Sequence, residues 1–469
     1  MPDFSTILQN AEVRAVVQEN TLERAFHDNL YANILYRGEA TPVPWPAGVG
    51  DTQIFTSPGL MPVDMRPRVP GTDPTPKTYA LEQWTAQMQQ YDGTIDTHMP
   101  SSYSAIAQLF LRNTKQLGLQ AGQTLNRVAR NRLFNAGLDG WTVADGAQGP
   151  TTTLKVKRLN GFTTARNPLL SGASNVRFDT VSSNNPLSVR IYDQAGPAQV
   201  TRNVIGYTPD NPGDTVGPGT ITLSAAVTVL DGAYVYSYDA TAIVRSGGGF
   251  SVRDLTATTD IPTLANIRTA VSQMWLQNAP AHPDGRFHVQ LDPVSQTLLF
   301  ADSEFQRLMT SLPDYYSYRE FALGELLGCV FYRNSESPTP DTVVAGTTGV
   351  FTLDDPFPGE LYNTGLPTGT PVHRILFTGQ GAIMEYYTDL NELITDAGIT
   401  GKVADPRITN NGIEINSERV QFIIRAPLNR TQDMVATTWK FIGDWPTRTD
   451  AATGSASRYK RTVVIEHVE

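Results

Sequence analysis

An α+β fold carrying an inserted all-β domain is what this sequence predicts, and three stretches predict it. Residues 104–136 repeat apolar side chains at three- and four-residue steps, the mark of a long amphipathic helix. Residues 141–249 turn to Thr, Val, Gly, Asn and Ser in short runs, the mark of strands and turns. From residue 250 onward helical and strand patterns mix.

Bulk composition agrees. At 469 residues the chain exceeds one ordinary core, and two or three folding units are expected. Charged residues make up 17%, below the usual ~25%, and 38 Gly with 32 Pro favour turns over helix interiors. The net charge of -10 argues against a protein that grips nucleic acid, because phosphate binding needs clustered Lys and Arg. One cysteine, Cys329, excludes an intrachain disulfide and suits a reducing compartment. Set among Leu326, Leu327, Val330 and Phe331, it reads as a small buried apolar residue. No signal-peptide pattern opens the sequence and no run of ~18 apolar residues occurs, so a soluble protein made in cytoplasm is expected.

The elements follow in order. Residues 4–36 carry helical periodicity in two pieces, the second with Leu22, Phe26, Leu30 and Ile34, opened by a capping box of Asn20 and Glu23 and followed by Gly38. This is a helical arm. Nine prolines between Pro42 and Pro76 exclude both helix and central strand. A strand is expected at 79–91, with Leu81, Trp84 and Met88, which makes 41–100 an extended two-stranded loop. A free loop of that length would not hold a shape, so neighbouring subunits are expected to order it.

The helix at 104–136 presents Ile106, Leu109, Phe110, Leu117, Ala121, Leu125, Val128 and Phe134 and would span ~50 Å. Gly118 and Gly122 each weaken it by ~1 kcal/mol, so a bend is expected there, with Gly137 as a left-handed cap. Strands are expected at 154–158, 176–179, 187–192, 220–223 and 234–244, and Ser246-Gly247-Gly248-Gly249 reads as a flexible exit. Beyond it come a helix at 263–277, a strand at 288–291, a helix start at Asp292-Pro293, and strands at 326–332, 372–377, 420–426, 439–442 and 461–468. The last strands are expected to return to the long helix.

Chemistry is harder to find. Phosphate-binding, zinc-protease and hydrolase motifs, each of which needs fixed spacing, are missing, so neither an enzyme nor a cofactor is expected. Of the six histidines only His282 and His288 are close, and a spacing of six does not set two rings on one helix face as metal ligands. Asp354-Asp355 precede a proline in a loop, and Asp292 reads as a helix cap. The tryptophans, Trp45 and Trp84 among them, are scattered without interleaved basic residues and read as core or interface anchors. Arg66 and Arg68 flank Pro67, which stiffens a loop tip holding two forked donors for carboxylates of a neighbour.

The order of parts, arm then long loop then long helix then α+β domain, resembles the Hong Kong 97-type major capsid proteins of tailed bacteriophages. The likeness is most specific at Tyr318-Arg319-Glu320-Phe321-Ala322-Leu323-Gly324-Glu325-Leu326-Leu327-Gly328-Cys329-Val330-Phe331-Tyr332, at Arg374-Ile375-Leu376-Phe377-Thr378-Gly379-Gln380-Gly381-Ala382 and at Trp439-Lys440-Phe441. It implies an amino-terminal arm at 1–40, an E-loop at 41–100 and a spine helix of the peripheral domain at 101–140. It further implies an axial domain with peripheral segments at 250–440 and a return to the peripheral domain at 441–469, with 141–249 inserted. The implied protein self-assembles as hexamers and pentamers into an icosahedral head, forms in the host cytoplasm, and encloses double-stranded DNA without sequence-specific binding. Implied partners are a portal protein, a separate scaffolding protein and a decoration or cement protein. Trp45, Arg66, Arg68, Lys77 and Trp84 are the candidate inter-subunit contacts, Lys77 being the loop's only lysine. The competing expectation is a tail or head-decoration protein whose β domain binds a glycan or a receptor.

Overall fold

The computed structural model describes residues 25–26, 28–30, 35–45, 50–58, 67, 70–71, 73–74, 76, 81–98, 106–137, 140–166, 178–192, 199–211, 217–238, 243–255, 260–276, 279–311, 324–337, 362–363, 370–388, 408–409, 412–417, 419–425, 434–447 and 461–468. The first helical piece of the arm, Arg66, Arg68, Lys77 and Asp354-Asp355 lie outside these. The fold is α+β, and the chain divides into two compact units. Among the described residues no helix is long and apolar enough to cross a membrane.

The first unit combines Met1–Phe55, Thr85–Arg130 and Ile383–Pro446. Its sheet runs in the order Thr41–Pro44, Met384–Tyr387, Met434–Asp444, Val420–Arg425, Gly412–Ser417 and Ile408–Thr409, with Gln89–His98 paired along Met434–Asp444. Among the described residues, Thr52–Pro58 and Leu81–Gln87 pair with each other alone, as a two-stranded ribbon. The expected loop of 41–100 is therefore shorter than predicted, because its two ends pair into the sheet. The single strand expected at 79–91 breaks at Met88, whose N–H turns to Asp51 O at 2.8 Å.

The long helix spans Ile106–Gly137, and Leu117, Ala121, Leu125 and Ala129 form a fully buried stripe at four-residue steps. Its glycines serve contact. A Cβ on Gly118 would stand 2.8 Å from Phe26 O, and one on Gly122 2.7 Å from Leu30 O, so the arm's backbone crosses where only glycine leaves room. One turn further, Asn126 Oδ1 accepts the N–H groups of Tyr36 (2.7 Å) and Arg37 (3.2 Å). Phe26, Leu30 and Tyr36 are fully buried. The described residues among 25–37 thus pack within their own unit. Gly137 is the helix's last residue.

The second unit contains Thr56–Trp84, Asn131–Ala382 and Thr447–Glu469. Its mixed sheet runs Ile243–Arg245, Thr462–Val468, Thr370–Thr378, Phe287–Leu291, Cys329–Arg333 and Glu325–Leu326. Leu264–Leu276, Pro293–Ala301 and Ser303–Ser311 are its helices, and Ile267, Met274, Leu299 and Phe305 join Phe287, Ile375, Phe377, Val463 and Ile465 in one core. Two expectations change. Residues 383–446 belong to the first unit, while Thr462–Val468 sits in the second, because Val463 and Ile465 complete that unit's core.

The β-rich stretch forms a six-stranded antiparallel sheet in the order Trp141–Val143, Tyr234–Ser237, Leu187–Tyr192, Gln199–Pro209, Gly219–Val229 and Gln148–Val156. Its edges meet. Ala144 bridges Val156, Asp145 N–H bonds Lys155 O at 3.0 Å and Lys157 N–H bonds Val143 O at 3.1 Å, so the sheet closes as a barrel around Leu154, Val189, Ile191, Val204, Ile221 and Val235. Gln199–Pro209 was not predicted, because only Val204 along it is fully buried and its alternation is weak. The strand expected at 234–244 is two, and the second, Ile243–Arg245, leaves the barrel for the mixed sheet.

The predicted flexible exit is shaped. Ser246 is buried and accepts Asn266 Nδ2 at 2.7 Å, and the Asp260 carboxylate fills the place a side chain on left-handed Gly247 would need. Beyond it the segment 250–254 straps the barrel down. Arg190 Nη1 reaches both Asp254 oxygens (3.3 and 3.1 Å) and lies 4.4 Å over the Phe250 ring, while Tyr192 OH and Ser251 Oγ are 2.6 Å apart.

Gly122→Ala is expected to lower the stability of the chain by about 1–3 kcal/mol, since the added methyl must displace backbone. Gly149→Ala, which meets nothing within 4 Å, should leave it nearly unchanged. Urea midpoints of the two variants check the pair.

Candidate functional site

The ribbon is fixed at its base by an aromatic cluster that the sheet assembles. Thr41–Pro44 runs parallel to Met384–Tyr387, and Trp45 N–H continues the ladder to Tyr387 O at 2.8 Å. The Trp45 ring stands edge-on to Tyr386 (6.0 Å) and Phe55 (6.3 Å), which themselves stack at 4.2 Å, and Trp45 Nε1 donates to Gly50 O at 3.0 Å. Gln87 N–H bonds Asp444 Oδ2 at 3.0 Å on the return. Trp45 is buried in this cluster, and Trp84 is half-buried on the ribbon. Ile54, on the ribbon, is 62% exposed.

The second unit carries an apolar groove that sequence reading missed. Trp275 and Leu276, at the end of Leu264–Leu276, are 59% and 50% exposed and line it with Val271, Arg268, Ser272 and Leu327. Leu327 tips the hairpin in which Leu326 pairs with Cys329, and it is left-handed at φ 52°, followed by Gly328 at φ 76°. Two successive positive φ values make the tight turn that matches strand twist, and glycine or asparagine is the usual first residue. A leucine there is strained by roughly 1–2 kcal/mol and still points an apolar side chain at water. The Leu327-Gly328 pair was the only local signal. Cys329 beside it is buried, which pushes its thiol up to about 12 and keeps it protonated, consistent with a packing role.

Two histidine pairs form as well. His282 and His288 are brought together by a tight turn, with Gly285 N–H on His282 O at 2.8 Å, and their rings stack 3.8 Å apart at 4°. Slight burial opposes ionisation of the adjacent Asp284, but bonds from Arg286 N–H and from His288 Nε2 at 3.2 Å hold its carboxyl below the usual range.

The second pair is internal. Asp292 caps the helix Pro293–Ala301 as the sequence predicts, accepting Ser295 N–H at 3.2 Å. It also contacts the Ser295 hydroxyl and accepts from His373 Nδ1 at 2.7 Å, and Ser295 Oγ lies 2.7 Å from His467 Nε2. Burial would raise the Asp292 carboxyl, yet its bonds to His373 and Ser295 outweigh that and lower it. Serine, histidine and aspartate are the residue types of nucleophilic hydrolysis, but Ser295 and His467 are fully buried, and a nucleophile must be within reach of its substrate. The cluster anchors strands.

No protein-family model matches the sequence, and no curated protein does. Among solved structures the chain is similar to the capsid asymmetric unit of cyanophage Pam1, at 10% identity and a TM-score of 0.47 over 94% of this chain and 92% of that one. It is similar to the capsid of cyanophage P-SCSP1u at 10% identity, TM-score 0.46 and coverage of 92% and 87%, and to that of Ralstonia phage GP4 at 12%, 0.44, 92% and 87%.

Leu327→Asn is expected to stabilise the chain by about 1 kcal/mol, because asparagine accepts the left-handed turn and exposes no apolar surface. A urea titration reads this directly; a loss of stability would show that Leu327 packs more tightly than its exposure indicates.

Proposed function

We propose that this chain is a major capsid protein of a tailed bacteriophage, with the Hong Kong 97-type fold, which self-assembles as hexamers and pentamers into the icosahedral head. The observation that carries this reading is the ribbon. A two-stranded ribbon is marginal in water by itself, and this one pairs with no other strand among the described residues while its base is locked to the first unit. Such an element gains by lying across another subunit in a symmetric array. Ile54 and Trp84 on the ribbon, and Trp45 at its base, are the described contact candidates; Arg66, Arg68 and Lys77 complete the proposed set.

The order of elements supports the reading independently. A helical arm, the ribbon, a long helix and an α+β unit follow one another as the sequence resemblance implies, with the barrel as an addition to that plan. A net charge of -10 suits a wall that encloses double-stranded DNA without adsorbing it. On this reading the protein is structural and not catalytic. Its partners are further copies of itself, a portal protein, a separate scaffolding protein and a decoration or cement protein, and assembly takes place in the host cytoplasm.

Expressed with its neighbouring genes and viewed in negative stain, the chain is expected to yield closed icosahedral particles. Ile54→Asp should abolish or strongly reduce them while leaving the melting temperature of the unassembled chain within a degree or two, since Ile54 is largely exposed before assembly. Monomers or trimers from the unaltered chain would instead favour a tail or decoration protein.

A further inference from the structure

His282 and His288 stand on the two sides of one tight turn that leads into the strand Phe287–Leu291. The turn is built by its own backbone. His282 N–H bonds Arg286 O at 2.9 Å, Gly285 N–H bonds His282 O at 2.8 Å, and Gly285 takes the left-handed φ of 77° that closes it. Both flanks are tied down. Gln380 N–H bonds Pro280 O at 2.9 Å on one side, and on the other His288 pairs with Thr378 and Val330 in the sheet. A separation of six residues is wrong for one face of a helix but right for the two sides of a closed turn, so the rings meet face to face, 3.8 Å apart.

The carboxylate of this turn is fixed as well. Asp284 Oδ1 accepts Arg286 N–H at 3.0 Å, and Oδ2 lies 3.2 Å from His288 Nε2. A carboxylate only accepts, so Nε2 carries the hydrogen, and in the neutral ring the lone pair is on Nδ1. Histidines that ligate metals are commonly held in this way: a carboxylate on the other nitrogen sets the tautomer and makes the ligating nitrogen more basic. One nitrogen of His282 and one of His288 lie within 4.8 Å of each other. On one ion, with bonds of about 2.0–2.1 Å, two nitrogens stand about 2.9–3.4 Å apart. The difference closes by rocking the rings about their Cβ–Cγ bonds, a broad torsion in histidine, while the backbone stays where the turn holds it. Asp284 is exposed and both rings are half-buried, so an ion from solvent reaches them.

We propose that His282 and His288 form a two-histidine site for a divalent transition cation of the zinc, nickel and copper class, with Asp284 as the positioning carboxylate. Imidazole suits these ions, whereas calcium and magnesium need several oxygen ligands and this turn carries one carboxylate. Copper binds such a site most tightly. Bound there, the ion joins the two ends of the turn. It thereby fastens Phe287–Leu291, which lies between Thr370–Thr378 and Cys329–Arg333, to the segment that follows the helix Leu264–Leu276. The site belongs to one turn of the second unit and stands whether or not the chain builds a shell.

Calorimetric titration of the purified full-length chain with Cu2+ and with Zn2+ tests it. One equivalent of either ion is expected to bind saturably, copper the more tightly. His282→Ala and His288→Ala should each abolish that equivalent, and Asp284→Asn should weaken it by about 10–100-fold. Affinity is expected to fall by up to about a hundredfold per unit as pH drops below about 6.5, because two imidazoles must shed their protons. The electron paramagnetic resonance spectrum of the copper-loaded chain should show coupling to two nitrogens. An absence of saturable binding, or copper held equally well by both alanine variants, would overturn the proposal. Should those variants fail to fold, the unaltered chain decides: a spectrum with fewer than two coupled nitrogens rejects the site.

Discussion

Glu466 between two guanidiniums is the constraint on which the second unit depends. Arg245 arrives on the short strand that leads out of the barrel, and Arg374 lies on the central strand Thr370–Thr378. One carboxylate, one oxygen for each arginine, therefore ties the barrel's exit, the sheet's middle and the final described strand in a single register. Such a set gives little net stability over apolar residues of the same volume, but removing one member leaves buried charge uncompensated, at about 3–5 kcal/mol. Its value is specification: a strand slipped by one residue would turn Glu466 away from both arginines.

The first unit repeats the device with different parts. Arg37, near the end of the arm, grips both oxygens of Glu385 at 2.6 to 3.2 Å, and Arg419 reaches the same carboxylate at 3.6 Å. The arm is then held twice, by the carboxylate on the sheet and by Asn126 and the two glycines on the long helix. This positions Thr41–Pro44, and with it Trp45 and the base of the ribbon. The ribbon is thus rooted in the first unit, and among the described residues its two strands pair only with each other. The apolar groove of Trp275, Leu276 and Leu327 is another surface with apolar area open to water, on the second unit.

Local patterns were legible wherever the physics is local. Asp292-Pro293 foretold its helix, because a carboxylate cap and a fixed φ act within one turn. The stripe of Leu117, Ala121 and Leu125 foretold the buried face of the long helix. Gly118 and Gly122 were read as weak points for the same reason: their partner, the arm's backbone, is some ninety residues away in sequence and leaves no mark nearby. His282 and His288 fell outside helical spacing, so nothing short of the turn at Gly285 could show them stacked. Asp292 was read as a cap alone, since His373 and Ser295 with His467 reach it across the sheet. Of the contact candidates, the structure accounts for Trp45 by burial in its own unit, and the ribbon's exposed Ile54 was not singled out because an isolated isoleucine carries no pattern.

By itself the sequence determined the periodicities, and with them the long helix, the run of short strands and the proline-rich interruption, since each depends on residues within a few positions. It also determined the charge balance and the single thiol. Only the tertiary structure decided which strands share a sheet: that the β-rich stretch closes as a barrel, that the arm folds back on its own helix, and that Thr462–Val468 joins the second unit. Those outcomes rest on pairings between residues far apart in the chain, Glu466 with Arg245 and Arg374, Glu385 with Arg37. Such pairings are set by which side chains can neutralise and bury one another, and spacing along the chain does not encode them.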